Sequence, residues 1–320
     1  MSMEESHIRS VSELNDIIGS GGFGDLVERC EDLHTSRIAR IAELIASRVP
    51  AVRLVLEAGP SAAGKTTTAI RLCEALEANG LTSLRISTDD YFVGDARNPR
   101  DAEGKLDYEH FDAVDRARLS EDLLKIFAGE PLYRRKFDFV NHVGFDDSEL
   151  FVPPPNAVVV LEGIHALNPK LTEGVGDELK YRVYLNTLTQ LVADCGGWLY
   201  FEDARLMRRI VRDKTYRDMS PETTIMMWEK VSAGEMKWIN PYRGFADSVF
   251  NTTLDYEIAV MKPILEPVMK AVPYLGGRES AEIRRLLAVL DTVKPVADIS
   301  AVPANSILRE SIGGSAFDYV

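Results

Sequence analysis

The chain has 320 residues, 45% of them hydrophobic and 27% charged, which suits one large or two modest globular domains with a buried core. A net charge of −13 argues against nucleic acid or an anionic membrane surface as the main partner, and it makes any local cluster of arginines informative. Cys30, Cys73 and Cys195 lack metal-ligand spacing, no N-terminal run has the form of a signal peptide, and no apolar stretch is long enough to span a bilayer. Reduced thiols, a cytoplasmic location and no membrane partner are therefore expected.

Residues up to about Pro50 read as helical and accessory. Gly19, Gly21 and Gly22 make a turn, and Ser36 is expected to cap a helix carrying Ile38, Ile41, Ala42 and Ile45 at i, i+3, i+4, i+7. His34, just before it, reads as a surface or capping residue.

The organising stretch follows, from Val52 to Leu76. Leu54-Val55-Leu56 is a buried strand. Gly59-Pro60-Ser61-Ala62-Ala63-Gly64-Lys65-Thr66 fits G-x-x-x-x-G-K-[ST], and the next helix buries Ala69, Leu72, Cys73 and Leu76. Strand, loop and helix together make a phosphate-binding loop. Backbone N–H groups and the helix N-terminus point at a phosphate, Lys65 supplies a positive charge, and the Thr66 hydroxyl can hold Mg²⁺.

After Asn79-Gly80, Leu84 to Ser87 is a short strand that runs into Thr88-Asp89-Asp90-Tyr91-Phe92. Carboxylates at the C-terminal end of a parallel strand sit where α/β folds place ligands. Residues 94–115 form a long polar segment with Asp107, Asp112 and Asp115. Arg116 to Ala128 is a helix. Arg134 to His142 is expected to hold a short strand that either presents Phe137 and His142 to a planar ligand or packs Phe137 and Phe139 inward, with an irregular piece ending at Pro153-Pro154-Pro155. Val158 to Leu161 reads as a central parallel strand delivering Glu162 where a second acidic residue would hold or orient Mg²⁺. Tyr181 to Leu185 is another strand.

Asp203 is expected to cap a helix with Arg205, Arg208, Arg209 and Arg212 on one stripe, continued by Lys214 and Arg217. Like charges so placed repel one another unless an anion or acidic partners lie against them. The pattern reads either as a mobile lid closing over ATP phosphates or as a face paired with Asp and Glu. Met226 to Trp238 reads as core or hinge packing, Ser248 to Phe250 as a last strand, Tyr256 to Val272 and Ile283 to Leu290 as helices. The tail from Ser306 to Gly314 carries no evident chemistry.

Taken in order, GPSAAGKTT, STDDYF, DYEHFDAVD, KFDFVNH, VLEGIHALNP and DARLMRRIVRD resemble the uridine kinase branch of the phosphoribulokinase/uridine kinase family, over roughly residues 50 to 275. LHTSRIARIAELIASR and NSILRESIGGS resemble flanks of a bacterial uridine-kinase-like subgroup. The resemblance implies a P-loop NTPase-type parallel sheet flanked by helices. Residues 1–50 would be an N-terminal helical extension and 51–275 the kinase core, with a lid at about 203–245; 276–320 would be a C-terminal helix and tail. It implies ATP- and Mg²⁺-dependent phosphorylation of a small molecule, the 5′-hydroxyl of uridine or cytidine. Gly59, Ser61, Ala62, Ala63, Gly64, Lys65, Thr66, Thr67 and Arg212 would hold ATP, and Thr66, Asp89 and Glu162 the metal. Asp89 would accept the hydroxyl proton, with Lys65, Arg205 and Arg208 beside it in catalysis. Asp112, Phe137, His142, Tyr91, Arg205 and Arg217 would form the acceptor site. Two departures bear on the acceptor. Phe137 stands where these kinases typically have Tyr, which removes one hydrogen bond, and Asp90-Tyr91-Phe92 differs from the usual Ser/Asp-Phe-Tyr. The same machinery acting on another sugar or polyol, or a nucleotide-binding regulatory module without turnover, are the alternatives.

Overall fold

The computed structural model describes residues 8–193, 196–273 and 276–319; Cys195 lies outside them. The chain opens with helices α1 (Val11–Gly19) and α2 (Phe23–Ala46), and then alternates strand and helix through β1 (Leu54–Ala58), α3 (Lys65–Ala78), β2 (Ser83–Ser87) and α4 (Arg116–Ala128). A hairpin of β3 (Leu132–Asp138) and β4 (Val143–Phe151) precedes β5 (Val158–Glu162) and β6 (Lys180–Asn186). The short pair β7 (Leu191–Val192) and β8 (Trp198–Leu199) leads to α5 (Phe201–Tyr216) and α6 (Pro221–Trp238). The chain ends through β9 (Ser248–Asn251), α7 (Glu257–Lys270), α8 (Gly277–Thr292) and α9 (Arg309–Ile312).

The central sheet is fully parallel, in the order β2-β5-β1-β6-β9. Every residue of β1 and β5 is buried, which is why their sequences are apolar without alternation, apart from Glu57 and Glu162 toward their C-terminal ends. One face packs Leu54, Leu56, Val159 and Leu161 against Leu119, Leu123 and Ile126 of α4. The other packs Val55, Val158, Val160 and Val183 against Ile38, Ala42 and Ile45 of α2 and Ala69, Leu72 and Leu76 of α3. A third core is helical: Val11 and Leu14 of α1 meet Met207, Ile210 and Val211 of α5, Leu265 of α7, Leu286 of α8, and Ile307 and Leu308 of the tail. All strands run the same way, so β1, β2 and β5 deliver their C-terminal ends to one edge, with the crossovers from β1 to β2 and from β5 to β6 passing on opposite sides of it. That reversal of strand order is where open α/β sheets bind ligands.

Three local readings are corrected. Ser36 caps nothing, because α2 has already begun at Phe23; its hydroxyl donates to the Leu33 carbonyl inside the helix. The glycine turn at Gly19–Gly22 supplies the break instead. His34 is neither exposed nor a cap. It is 1% exposed, with Nε2 3.1 Å from the Thr253 carbonyl oxygen, and burial followed by the Arg71 charge pushes its pKa down to about 3. The piece before Pro153 is β4, paired to β3 with Phe137 opposite Gly144. Its sequence hides this because most of the strand is exposed, so no apolar alternation marks it. Met226, Met227 and Met236 of α6 are exposed, while Val231 is buried. Among the described residues no helix is long and apolar enough to cross a membrane.

Candidate active site

The glycines of the loop are fixed by contact and by dihedral. A Cβ on Gly59 would lie 2.5 Å from the Leu185 carbonyl oxygen, and Gly64 takes φ +85° as the N-cap of α3. Ala62 also sits at positive φ, 58°. The first turn of α3 therefore opens onto the loop, with Lys65 at its start. The Lys65 ammonium donates to the Pro60 carbonyl at 3.1 Å, which holds its charge over the loop.

The acids come from strand ends in register. Glu57 of β1 pairs with Glu162 of β5, and Ser87 of β2 is the next neighbour of Glu162. Glu162 is 3% exposed; its Oε1 is 3.5 Å from Thr66 Oγ1 and 3.6 Å from the Arg85 guanidinium. Burial, then the Asp89 charge, pushes the Glu162 pKa up to about 7. Asp89 is the second residue of the single 3-10 turn (Thr88–Tyr91) after β2, and its N–H donates to Ser87 Oγ at 3.3 Å. Glu57 is fully buried and neither of its carboxylate oxygens has a hydrogen-bond partner; burial and then Glu162 raise its pKa well above the ordinary value. Sequence reasoning missed Glu57, although an acid inside an otherwise apolar strand, LVLEA, was the signal.

Arg205, Arg208 and Arg209 of the α5 stripe are buried, Arg212 is partly buried and Arg217 beyond it is exposed, and the arginines divide into two groups. Asp203 sits at the third helical position, accepting from the Tyr200 N–H, and is not the N-cap itself. Arg205 pairs with Glu235 at 2.8 Å and Arg208 with Glu257 at 2.5 Å, every partner nearly out of solvent. Both also reach the loop, Arg205 to the Ser61 carbonyl and Arg208 to the Ala62 carbonyl, each at 3.4 Å. Arg209 donates to Ser61 Oγ at 2.7 Å. Beyond it, Arg209, Arg212 and Arg217 all lean on one buried carboxylate, Asp213, at 3.2, 3.2 and 3.4 Å. Three guanidinium groups share the Asp213 carboxylate, with Glu310 3.6 Å from Arg212, which still leaves a local excess of positive charge. Crowding by Arg212 pushes the Arg217 pKa down to about 10. That excess lies beside the loop, close enough to Asp89 for the two to interact. It is the electrostatic counterpart of an anion.

The residues expected on the acceptor side do not all gather there. Tyr91 is a core residue: it is 4% exposed and its hydroxyl donates to the buried Asp122 at 3.0 Å, so it offers no free group to a ligand. The Asp112 carboxylate is 54% exposed and paired with Arg116 at 2.8 Å, on the outside of the segment. Glu109 instead faces inward, where it feels Arg209, Lys65 and Asp89. Gly234 allows α6 to lie against it, since a Cβ there would come within 2.7 Å of Glu109 Cβ. Lys230 fastens α6 to the same segment through Asp101 and the Leu106 carbonyl. Glu109 was missed because its neighbours, Asp107 and Asp112, carry the same sequence signal. Phe137 is buried edge-on against Phe92 and Phe139, while Phe139 stays 58% exposed. His142 is half-exposed at the hairpin turn, with Nδ1 2.6 Å from the Tyr108 hydroxyl and 3.1 Å from Asp95.

Glu109 carries a pH prediction. Burial raises its pKa from 4.5 to about 7, so the protonated form favours the fold. The contribution is complete below about pH 4.5 and is lost as pH rises through 7. Glu109→Gln is therefore expected to gain up to about 3 kcal/mol on the parent between pH 5 and pH 8 in denaturant unfolding. Parallel stability curves would contradict it.

These groups suit a magnesium nucleotide. Among the described residues no group of three or more His, Cys, Asp or Glu is arranged to hold a metal alone. Mg²⁺ in phosphoryl-transfer sites takes one or two carboxylates and completes its shell with phosphate and water. The hard oxygens of Glu162, Asp89 and Thr66 beside a phosphate loop match that donor set.

The profile of the phosphoribulokinase / uridine kinase family matches residues 55–259. A uridine kinase of Deinococcus deserti is 30% identical over 193 residues, which covers 60% of this chain and 84% of that protein. A uridine kinase of Borrelia hermsii is 27% identical over 201 residues, covering 62% and 85%. Among solved structures, a D-glycerate 3-kinase from Cryptococcus neoformans overlays 64% of this chain and 88% of its own with a TM-score of 0.43 and 14% identity.

Proposed function

The chain belongs to the phosphoribulokinase / uridine kinase family and is a phosphotransferase; from that premise we propose that it transfers the γ-phosphoryl group of ATP to the 5′-hydroxyl of a pyrimidine nucleoside, uridine or cytidine, in the cytoplasm. The chemistry is assigned to residues 51–275, with about 203–245 as the lid and residues 1–50 and 276–320 as flanks. What supports the reading is the placement of Lys65 on the loop, Glu162 beside Thr66, Asp89 just past the neighbouring strand, and Arg209 on Ser61 with Arg212 and Arg217 sharing Asp213.

Each group has a part. The N–H groups from Ser61 to Thr67 and the Lys65 ammonium bind the β- and γ-phosphates. Arg209 and Arg212, with Arg217 at the outer edge, supply positive charge where the transferring group accumulates negative charge, and burial keeps that charge from being screened. Arg205 and Arg208 act through the loop carbonyls they hold, as positioning residues. Asp89 accepts the proton of the attacking hydroxyl. Thr66, Glu162 and Asp89 would hold Mg²⁺, which when bound neutralises charge on the phosphate oxygens. Catalysis is then mostly positioning and charge stabilisation. Glu109, turned toward Arg209, Lys65 and Asp89, is assigned an acceptor hydroxyl, where Asp112 was expected.

The nucleoside rests on the aromatic end of the site. Phe137 lacks a hydroxyl; the Tyr108 hydroxyl beside His142 donates to Asp95, so it would meet a planar ligand only as an acceptor. The missing Phe137 hydroxyl is also what favours a second reading, the same transfer to a different sugar or polyol. A coupled ADP-release assay over uridine, cytidine, adenosine, ribose and glycerate separates the two. Turnover with uridine or cytidine is expected; turnover confined to a non-nucleoside hydroxyl would overturn the first reading, and ATP binding with no acceptor turned over would point to a regulatory module.

A further inference from the structure

We propose that the C-terminal tail is a latch on the ATP site, in which Glu310 occupies an anion position at the phosphate loop and is displaced when the nucleotide binds. The proposal rests on the reading of that loop as the ATP site.

The tail has an anchored base and a less buried end, which is tied back through Arg309 to the Ile299 and Val302 carbonyls and through the Ala316 N–H to the Ala304 carbonyl. Ile307 and Leu308 are 2% and 0% exposed within the helical core, and the buried Ser306 hydroxyl lies 3.2 Å from that of Tyr256. The base also touches the loop, since a Cβ on Gly64 would meet Ile307 at 3.4 Å. Among the described residues from Arg309 onward only Ser311 is buried. The short α9 lies on α5, and Gly313 and Gly314, at φ +90° and +71°, turn the chain back toward α3.

What the end does there is specific. Thr67 is the third residue of α3, in the turn whose N–H groups have no intrahelical partner and attract anions. Its hydroxyl donates to Glu310 Oε2 at 3.4 Å and lies 2.9 Å from the Tyr319 hydroxyl, which is itself 2.9 Å from Ser315 Oγ. Glu310 Oε1 faces the Arg212 guanidinium at 3.6 Å. A carboxylate on the Thr67 hydroxyl and facing Arg212 occupies two side chains that a nucleotide phosphate in the proposed site would claim. The two anions cannot share Thr67 and Arg212 without mutual repulsion, so binding of one releases the other. Arg212 keeps Asp213 as a partner throughout, and the anchored base keeps the freed end close.

The cost of such a latch follows from its population. If it is closed nine-tenths of the time, apparent ATP binding is about tenfold weaker than the open site would give. Calorimetric titration of the full-length chain with ATP and Mg²⁺ is therefore expected to show Glu310→Gln binding about tenfold more tightly than the parent, with Tyr319→Phe shifted in the same direction. Amide hydrogen exchange on the unmodified chain reads the motion without a variant, and protection across residues 309–319 is expected to fall when ATP is added. Equal or weaker ATP binding by Glu310→Gln, or greater protection of the tail with ATP, would overturn the latch while leaving the ATP site intact. Absence of ATP binding in parent and variant alike would overturn the site, and the latch with it.

Discussion

Asp89→Asn is expected to lower kcat by about 10²–10⁴-fold while Mg²⁺-ATP binding stays within a few-fold of the parent. The substitution keeps size and shape but removes the negative charge, and with it the ability to take a proton and one hard oxygen offered to Mg²⁺, whose other proposed holders, Thr66 and Glu162, remain. Ser87 Oγ still accepts the residue 89 N–H, so the 3-10 turn that aims the side chain should persist. In the proposed site ATP is held by other groups, chiefly the loop N–H donors and Lys65. The two effects are read separately, kcat from ADP release and Kd from calorimetry. Near-normal turnover would remove Asp89 from the mechanism, and a collapse of ATP binding with it would make Asp89 chiefly a nucleotide or metal ligand.

The largest stability effect is expected at Arg208. Its guanidinium donates to Glu257 at 2.5 Å and to the Thr252 carbonyl at 2.7 Å, and Arg208 and Glu257 are 2% and 3% exposed. Arg208→Ala would leave Glu257 charged, buried and short of its partner, a loss of about 3–5 kcal/mol in unfolding free energy. Replacing both partners, Arg208→Met with Glu257→Leu, should recover much of it, because the desolvation of two charges disappears together. The rescued protein should still bind ATP more weakly, since the Ala62 carbonyl loses its donor. A loss below about 1 kcal/mol for Arg208→Ala would mean that Glu257 finds water or a proton without it.

What could be read from the sequence divides along physical lines. The loop from Gly59 to Thr66, the apolar strands around it and α4 are short-range patterns, in which spacing and composition determine structure directly. The arginine stripe was visible as periodicity, but its partners were not, because Glu235, Glu257 and Asp213 are assigned to it only by tertiary packing. The same holds for Glu57 against Glu162, which meet by strand register across more than a hundred residues. Tyr91 shows the opposite error. A residue beside a functional carboxylate looked functional, yet a 3-10 turn points neighbouring side chains in different directions, and this one turns into the core to meet Asp122. The tail was unreadable for a similar reason: Glu310 and Thr67 are 243 positions apart, and nothing local in either segment marks their contact.

The account stands on one triphosphate site at the edge formed by β1, β2 and β5. Calorimetry with a non-hydrolysable ATP analogue and Mg²⁺, on the parent and on Lys65→Ala, tests it most directly. One site per chain is expected, weakened at least tenfold by loss of the Lys65 charge; no binding by the parent, or equal binding by the variant, would contradict it.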